Sequence, residues 1–454
     1  MSEINELREK MEVITIEMIK LLKQRTDIAK EIGDIKNDLG KTVTDESRES
    51  ELREKIIAEC KNLDLDESIG TKFLNFLINE SVKVQSKNSQ THLTIFLKAK
   101  EMEAKGRKII HLEVGEPDFA PPKSVERAIE HEINYKGFGY GPAKGETDFR
   151  INVANFCNEN FNSTINHENV LIVPGARFGV FLSISTLLNP GDEMIIIEPA
   201  WPAYKQCAIN AGVKVRTIKT TLETNWEPTI EQINLAINNN TKMIVLNYPN
   251  NPTGKILPKV LQNEIINVAK KHSLFILSDE IYSNYSNDTW KSILSYNYEK
   301  SIVTQSFSKS HAMTGYRIGY VISTPEIIEK LTKLQALSLT NVSEVIQFIA
   351  NMAINSDVNS NSELIRERLV TLVENCKKNN LEFMIPDGSM YVFARIKNSE
   401  HNTTDLANKL LENGLAVAPG EAFGDYGEFI RISACVKKES IIEGLNILST
   451  VLKK

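Results

Sequence analysis

Apolar residues in the first forty positions fall on one stripe. Ile4, Leu7, Met11, Ile14, Met18, Leu21, Ile28, Ile32 and Ile35 are separated by steps of three and four, with Arg25 occupying the one stripe position that is not apolar. This spacing predicts one long helix packed on other helices in the manner of a coiled coil. At ~1.5 Å per residue the helix reaches about 50 Å, more than so short a segment covers by itself, so pairing with a second copy is expected. A second helix is expected from Thr44-Asp45-Glu46, an N-cap followed by an acidic first turn. A third is expected over about residues 66–86, with Phe73, Leu74, Leu77, Ile78 and Val82 inward. The first proline is Pro117 and glycine is rare before Gly106, which marks the whole N-terminal segment as helical. A polar linker follows, over about Ser86 to Thr94. The pattern then changes. Runs that are apolar throughout (170–173, 194–197, 243–246 and 274–277), with a further buried strand expected at 301–304, alternate with helical stretches, and they predict a mostly parallel sheet covered on both faces.

Polar residues interrupt these patterns at a few places. Arg25 is costly in an apolar stripe unless an anion faces it; a buried ion pair with a glutamate of another helix would serve, and so would an anionic ligand. Lys36 shares its face, eleven residues on, while Asp45, Arg48 and Glu49 share a face of the second helix and Ser81 and Gln85 stand one turn apart on the third. Each pair alone reads as a solvated helix face; together they suit one small dianion. In the sheet-forming part, ligands bind at strand carboxyl ends. After the run 170–173 come Pro174, Gly175, Ala176 and Arg177, a turn opening a helix whose backbone N–H groups can cradle a phosphate. Trp201 lies in a proline-framed loop after 194–197, and Asn250-Asn251-Pro252-Thr253-Gly254 follows 243–246. Asp279, with Tyr282 after it, stands where an unpaired carboxylate would be buried. Beyond 301–304 come Ser306, Ser308, Lys309 and Arg317, a set suited to a phosphorylated aldehyde carried on the lysine.

The 454 residues are 41% hydrophobic and 25% charged, with a net charge of −6. That balance, with no basic patch interleaved with aromatics, excludes a general nucleic-acid binder. No apolar run approaches the ~20 residues of a membrane span, and with an acidic, polar start to the sequence no signal peptide is expected. Five scattered cysteines without a CxxC pair are read as reduced thiols of a cytoplasmic protein. Histidine is sparse and shows no metal-ligand spacing, so no metal site is expected.

From Leu7-Arg8-Glu9-Lys10 through Gln85 the chain resembles the all-helical chorismate mutases, without a gap. The resemblance implies an intertwined dimer of three-helix domains. It implies that Arg25, Lys36, Asp45, Arg48, Glu49, Ser81 and Gln85 bind chorismate, with Arg8 donated by the partner chain. Lys36 and Gln85 are then expected at the ether oxygen. The rearrangement needs no nucleophile, only a held conformer and positive charge where negative charge develops.

Gly115-Glu116-Pro117-Asp118-Phe119, Asn250 to Gly254, Ser278-Asp279-Glu280-Ile281-Tyr282 and Ser306 through Arg317 occur in the order and spacing of class I aminotransferases, the fold type I enzymes of pyridoxal 5′-phosphate. The resemblance covers about residues 91–454. It implies a large domain (about 135–350) and a smaller α+β domain (about 89–134 with 351–454), behind a helical domain at 1–88. It implies that Lys309 bonds the cofactor and moves the substrate proton, and that Asp279 holds the ring nitrogen. Tyr282 and Asn251 meet the ring hydroxyl and Trp201 the ring face. Gly175, Ala176, Ser306, Ser308 and Arg317 hold the phosphate, with Tyr140 of a partner subunit. Arg431, supported by Gly115 and Asn251, pairs with the substrate α-carboxylate. Arg177 stands where one branch of the family reads a distal carboxylate with lysine.

Joined, the two resemblances imply an enzyme that takes chorismate to prephenate and prephenate to arogenate, with glutamate or aspartate as donor. The alternatives are an aminotransferase of phenylpyruvate and 4-hydroxyphenylpyruvate, or of aspartate, and an inactive helical module for dimerisation or sensing ahead of a catalytic domain. Partners are small molecules and at least one further copy of the chain, with neither nucleic acid nor membrane.

Overall fold

The computed structural model describes residues 2–38, 46–85, 92–132, 139–287, 289–396 and 402–453. Chain contacts divide it into two units, 1–89 and 90–454.

The first unit is three helices: α1 (Ser2–Asp38), α2 (Glu46–Asn62) and α3 (Glu67–Gln85). α3 packs on both others. Gly70 lets α3 approach α2, since a Cβ there would lie 2.2 Å from Cys60 Sγ. Leu74 and Cys60 are buried, but Phe73, expected inward, is 47% exposed and stacks on Phe76 instead. The α1 stripe is uncovered: Leu7, Met11, Ile14 and Leu21 are each more than half exposed. Asp45 and the side chains of Val82 and Gln85 lie outside the described residues.

In the second unit, helix His92–Ala104 begins inside the stretch expected to be linker. β1 (Ile110–His111) precedes seven strands: β2 (Val170–Val173), β3 (Glu193–Glu198), β4 (Lys214–Lys219), β5 (Thr241–Leu246), β6 (Phe275–Asp279), β7 (Ser301–Ser306) and β8 (Gly319–Ile322). These seven form one sheet in the order β2-β8-β7-β6-β5-β3-β4, parallel except that β8 runs against both neighbours. Alternate residues feed two cores. Ile195, Ile197, Ile244 and Leu246 join one, and Met194, Ile196, Met243 and Val245 join the other. Burial on both faces is why these strands are apolar throughout.

A smaller body carries β9 (Tyr391–Arg395), β10 (Leu415–Ala416), β11 (Ala418–Pro419) and β12 (Phe429–Ser433). β1 pairs in parallel with β10, and the order β11-β12-β9 is antiparallel. Its core joins Ile95, Ala99 and Leu112 to Leu372, Val392, Ile430 and Leu445. Helix Lys123–Glu132 does not share that core. Its Val125 and Ala128 are buried with Ile349 and Ala350 against the main sheet. The chain therefore crosses to the large body before residue 123, earlier than the expected boundary near 134.

Candidate active site

The carboxyl ends of the main strands open into one cleft of about 500 Å³. Asp279, the last residue of β6, accepts hydrogen bonds from Tyr204 Oη (2.7 Å) and Thr304 Oγ1 (3.3 Å). Burial pushes its carboxyl up from the ordinary aspartate range, and the two hydroxyls oppose that shift by favouring the anion. β7 ends at Ser306, whose Oγ caps the short helix Phe307–Ser310 by accepting from the Ser308 N–H at 3.0 Å. That helix carries Lys309 into the cleft, where its Nζ donates to the carbonyl of Gly115. Burial pushes the lysine down from its ordinary range, toward the neutral amine that a nucleophile requires.

Opposite them, Arg431 on β12 is 2% exposed. Its guanidinium lies 4.3 Å from the Tyr391 ring centroid and 5.0 Å from that of Phe423. It donates to Asn251 Oδ1 at 2.8 Å and to the Glu113 carbonyl, while its Nε has no partner among the described residues. Asn251 Nδ2 in turn reaches Tyr282 Oη at 3.4 Å, and Tyr282 Oη lies 3.0 Å from Tyr391 Oη. Gly115 is required here, because a Cβ would stand 1.8 Å from the Tyr391 hydroxyl.

Gly175 (φ 85°) turns the chain from β2 into helix Ala176–Leu187, and a Cβ there would lie 2.6 Å from Arg317 Nη2. Ala176, Ser306, Ser308 and Arg317 line this end of the cleft. The Arg177 guanidinium lies over Trp201, 4.8 Å from the ring centroid, and Trp201 meets Tyr204 edge-on. Burial, and then the charge of Arg317, push Arg177 down.

Two family profiles match the chain. "Aminotransferase class I and II" spans residues 107–448, and "Chorismate mutase type II" spans 7–86. The chain belongs to the class I and II aminotransferases and carries a chorismate mutase domain at its N-terminus. It is 34% identical over 369 residues to the aspartate aminotransferase of Pyrococcus horikoshii, covering 79% of this chain and 93% of that one. It is 28% identical over 380 residues to the aspartate/prephenate aminotransferase of Thermus thermophilus, covering 82% and 98%. The crystal structure of the Thermotoga maritima aspartate aminotransferase superposes with a TM-score of 0.77 at 30% identity, over 81% of this chain and 99% of that one. The domain pair makes the protein an isomerase and a transferase, and fold type I aminotransferases use pyridoxal phosphate.

The cleft's donor set fits that cofactor. A buried carboxylate suits a protonated ring nitrogen, and a lysine with a lowered pKa suits an aldehyde. Tyr282 with Asn251 suits the ring hydroxyl. Two serines, a helix start and Arg317 suit a phosphate.

Of the expected aminotransferase residues, Gly115, Ala176, Arg177, Trp201, Asn251, Asp279, Tyr282, Ser306, Ser308, Lys309, Arg317 and Arg431 all line this one cleft, and Gly175 abuts it. Tyr140 is 91% exposed and does not line the cleft of its own chain. Sequence reasoning missed Tyr204, Thr304, Asn247 and Tyr391. Only Tyr204 had a local signal, one helical turn beyond Trp201.

In the helical unit Arg25 on α1 meets α3. Its Nη1 donates to the Leu77 carbonyl at 2.8 Å and to Ser81 Oγ. Arg8 is exposed on α1, and Arg48 is exposed on α2, 2.9 Å from Glu51. Lys36 and Glu49 are partly buried. The structure thus joins Arg25 to Ser81 and leaves Arg8 apart from them.

Proposed function

We propose that the helical unit converts chorismate to prephenate and that the second unit transaminates prephenate to arogenate, with glutamate or aspartate as amino donor. The observation carrying this reading is the pair of cleft arginines. Arg431 and Arg177 both line the cleft, and neither is ion-paired among the described residues: one is held by an amide and a carbonyl, the other by an aromatic face. Two such guanidiniums suit a substrate with two carboxylates. Prephenate, glutamate and aspartate each have two. A relative's name, aspartate/prephenate aminotransferase, agrees with that class.

In this reading Arg431 takes the carboxylate beside the reacting carbon, and Arg177 leaves the Trp201 face to take the distal one. Ala176, Gly175, Ser306, Ser308 and Arg317 hold the cofactor phosphate, joined by Tyr140 from a second copy. Asp279 holds the ring nitrogen, Trp201 covers the ring, and Tyr282 with Asn251 meets its hydroxyl. Bound there, the cofactor supplies an aldehyde for amine exchange and a ring that draws off electron density. Lys309 Nζ moves the proton at the substrate α-carbon. In the helical unit Arg25, Lys36, Arg48 and Arg8 of a second copy bind the carboxylates of chorismate. Lys36 and Gln85 face the ether oxygen, and Ser81 with Glu49 and Asp45 completes the site. The uncovered α1 stripe supports pairing of two copies.

A panel of keto-acid acceptors tests the assignment. Arg177→Leu is expected to lower kcat/KM for prephenate and for aspartate by about 10- to 100-fold, the worth of a charge-assisted hydrogen bond, and to spare phenylpyruvate. The reading is wrong if wild-type protein transaminates phenylpyruvate well and leaves prephenate untouched.

A further inference from the structure

Glu113 is a wholly buried carboxylate outside the cleft. Its Oε1 accepts from His111 Nδ1 at 2.8 Å, and its Oε2 has no partner among the described residues. The other ring nitrogen of His111 lies 3.1 Å from Glu103 Oε1, on helix His92–Ala104. A buried carboxylate with one oxygen unmatched is expensive, and an apolar side chain would hold the strand as well. What sets Glu113 apart is the backbone it carries. Its own carbonyl accepts from Arg431 Nη2, and two residues on, the Gly115 carbonyl accepts from Lys309 Nζ. Leu112, just before, is tied on both sides, donating to Ala416 and accepting from Ser433. The next backbone-to-backbone bond along the chain is that of the Asp118 N–H to Cys435. Between those ties two side chains hold the segment: Glu113, and Glu116, whose carboxylate accepts from Thr314 Oγ1; of the two only Glu113 is wholly buried.

We propose that the His111–Glu113 ion pair positions the Glu113–Gly115 backbone and, through the Glu113 carbonyl, sets Arg431 for a carboxylate substrate. The pair depends on charge at His111. The hydrogen bond to Glu113 is the largest influence raising the His111 pKa, and the nearby charges of Glu113 and Glu103 add to it, against burial. A raised histidine pKa carries the imidazolium to higher pH than an unpaired histidine would keep it. The anchor is therefore strongest below that pKa and weakens as pH rises through it, where the neutral ring keeps only an uncharged N–H donor for Glu113. The charged groups facing the ring are Glu103 and Glu113. Lys100 is 2.8 Å from Glu103, the Phe96 ring lies 6.1 Å from the imidazole, and the paired strand β10 offers only Leu415 and Ala416. His111 and Glu113 are thus positioning residues, acting through a main chain.

The inference rests on Arg431 as the substrate-carboxylate residue. The test is the dissociation constant of maleate, a dicarboxylate that cannot be transaminated, followed by cofactor absorbance in the full-length holoenzyme from mildly acidic to alkaline pH. His111→Gln is expected to weaken maleate binding about tenfold at acidic pH and to remove the pH-dependent step. Glu103→Gln changes only a half-exposed carboxylate and is expected to move that step to lower pH, since His111 loses one of its two anions. Arg431→Leu is expected to abolish binding. If Arg431→Leu binds maleate as wild type does, the cleft reading fails and the anchor with it. If Arg431→Leu loses binding while both other variants keep the wild-type constant and pH profile, only the anchor fails.

Discussion

Arg431 and Arg25 are both arginines set among apolar side chains, and their surroundings differ sharply. Arg431 is sealed between Tyr391 and Phe423, with Asn251 and a main-chain carbonyl on its nitrogens, all from one chain. Arg25 is tied to Ser81 and Leu77 on one side, while its stripe neighbours Leu21 and Ile28 are 56% and 57% exposed. A mixed sheet with two cores supplies enough surface to enclose a cation. Three helices do not. The difference separates a cation enclosed by its own fold from one whose apolar neighbours stay open, where covering each large side chain would contribute about 1.5–3 kcal/mol.

The largest test of that contrast removes the lysine. Lys309→Ala is expected to lower transamination by about 10²–10⁴-fold and to leave chorismate consumption at the wild-type rate, measured in one preparation. A parallel fall in mutase activity would contradict two separate sites. Arg25→Leu does the converse. Loss of one preorganised donor is expected to slow chorismate consumption about 10²–10³-fold with transamination intact. An unchanged rate would make the helical unit a packing module. The smallest effect probes the stripe itself. Ile14→Asp puts a charge into the surface expected to be covered, and should cut mutase activity about tenfold in dilute protein, with recovery as concentration rises. Activity independent of concentration would mean that α1 needs no second copy.

Much of this was legible because the signals were local. β2, β3, β5 and β6 each announce themselves by an unbroken apolar run, and β7 by Ile302 and Val303. β4 does not. At the sheet edge it reads Lys214-Val215-Arg216-Thr217-Ile218-Lys219, with only Ile218 buried, and alternation that short is easily passed over. β8 is only four residues and starts two after Arg317, just past the stretch read for its chemistry. The missed site residues share a different cause. Tyr204 lies 75 positions from Asp279, and Tyr391 lies 109 from Tyr282. Only the strand order and the second, smaller sheet bring them together, and no local spacing records that. The early crossing of the chain at helix Lys123–Glu132 was illegible for the same reason. An amphipathic helix shows that it has an apolar face, not which core receives it.

Gly115 and Tyr391 have a consequence for how such a cleft can change by descent. The glycine cannot gain even a methyl while the tyrosine hydroxyl stands 1.8 Å from where that methyl would be. The tyrosine can shrink first, but the ring itself must go, since its Cζ would stand 2.8 Å from that methyl, and Arg431 then loses the ring beside it as Tyr282 loses its hydrogen bond. Substitutions at the two positions therefore have an order, and a lineage that has not altered residue 391 has no open step at residue 115.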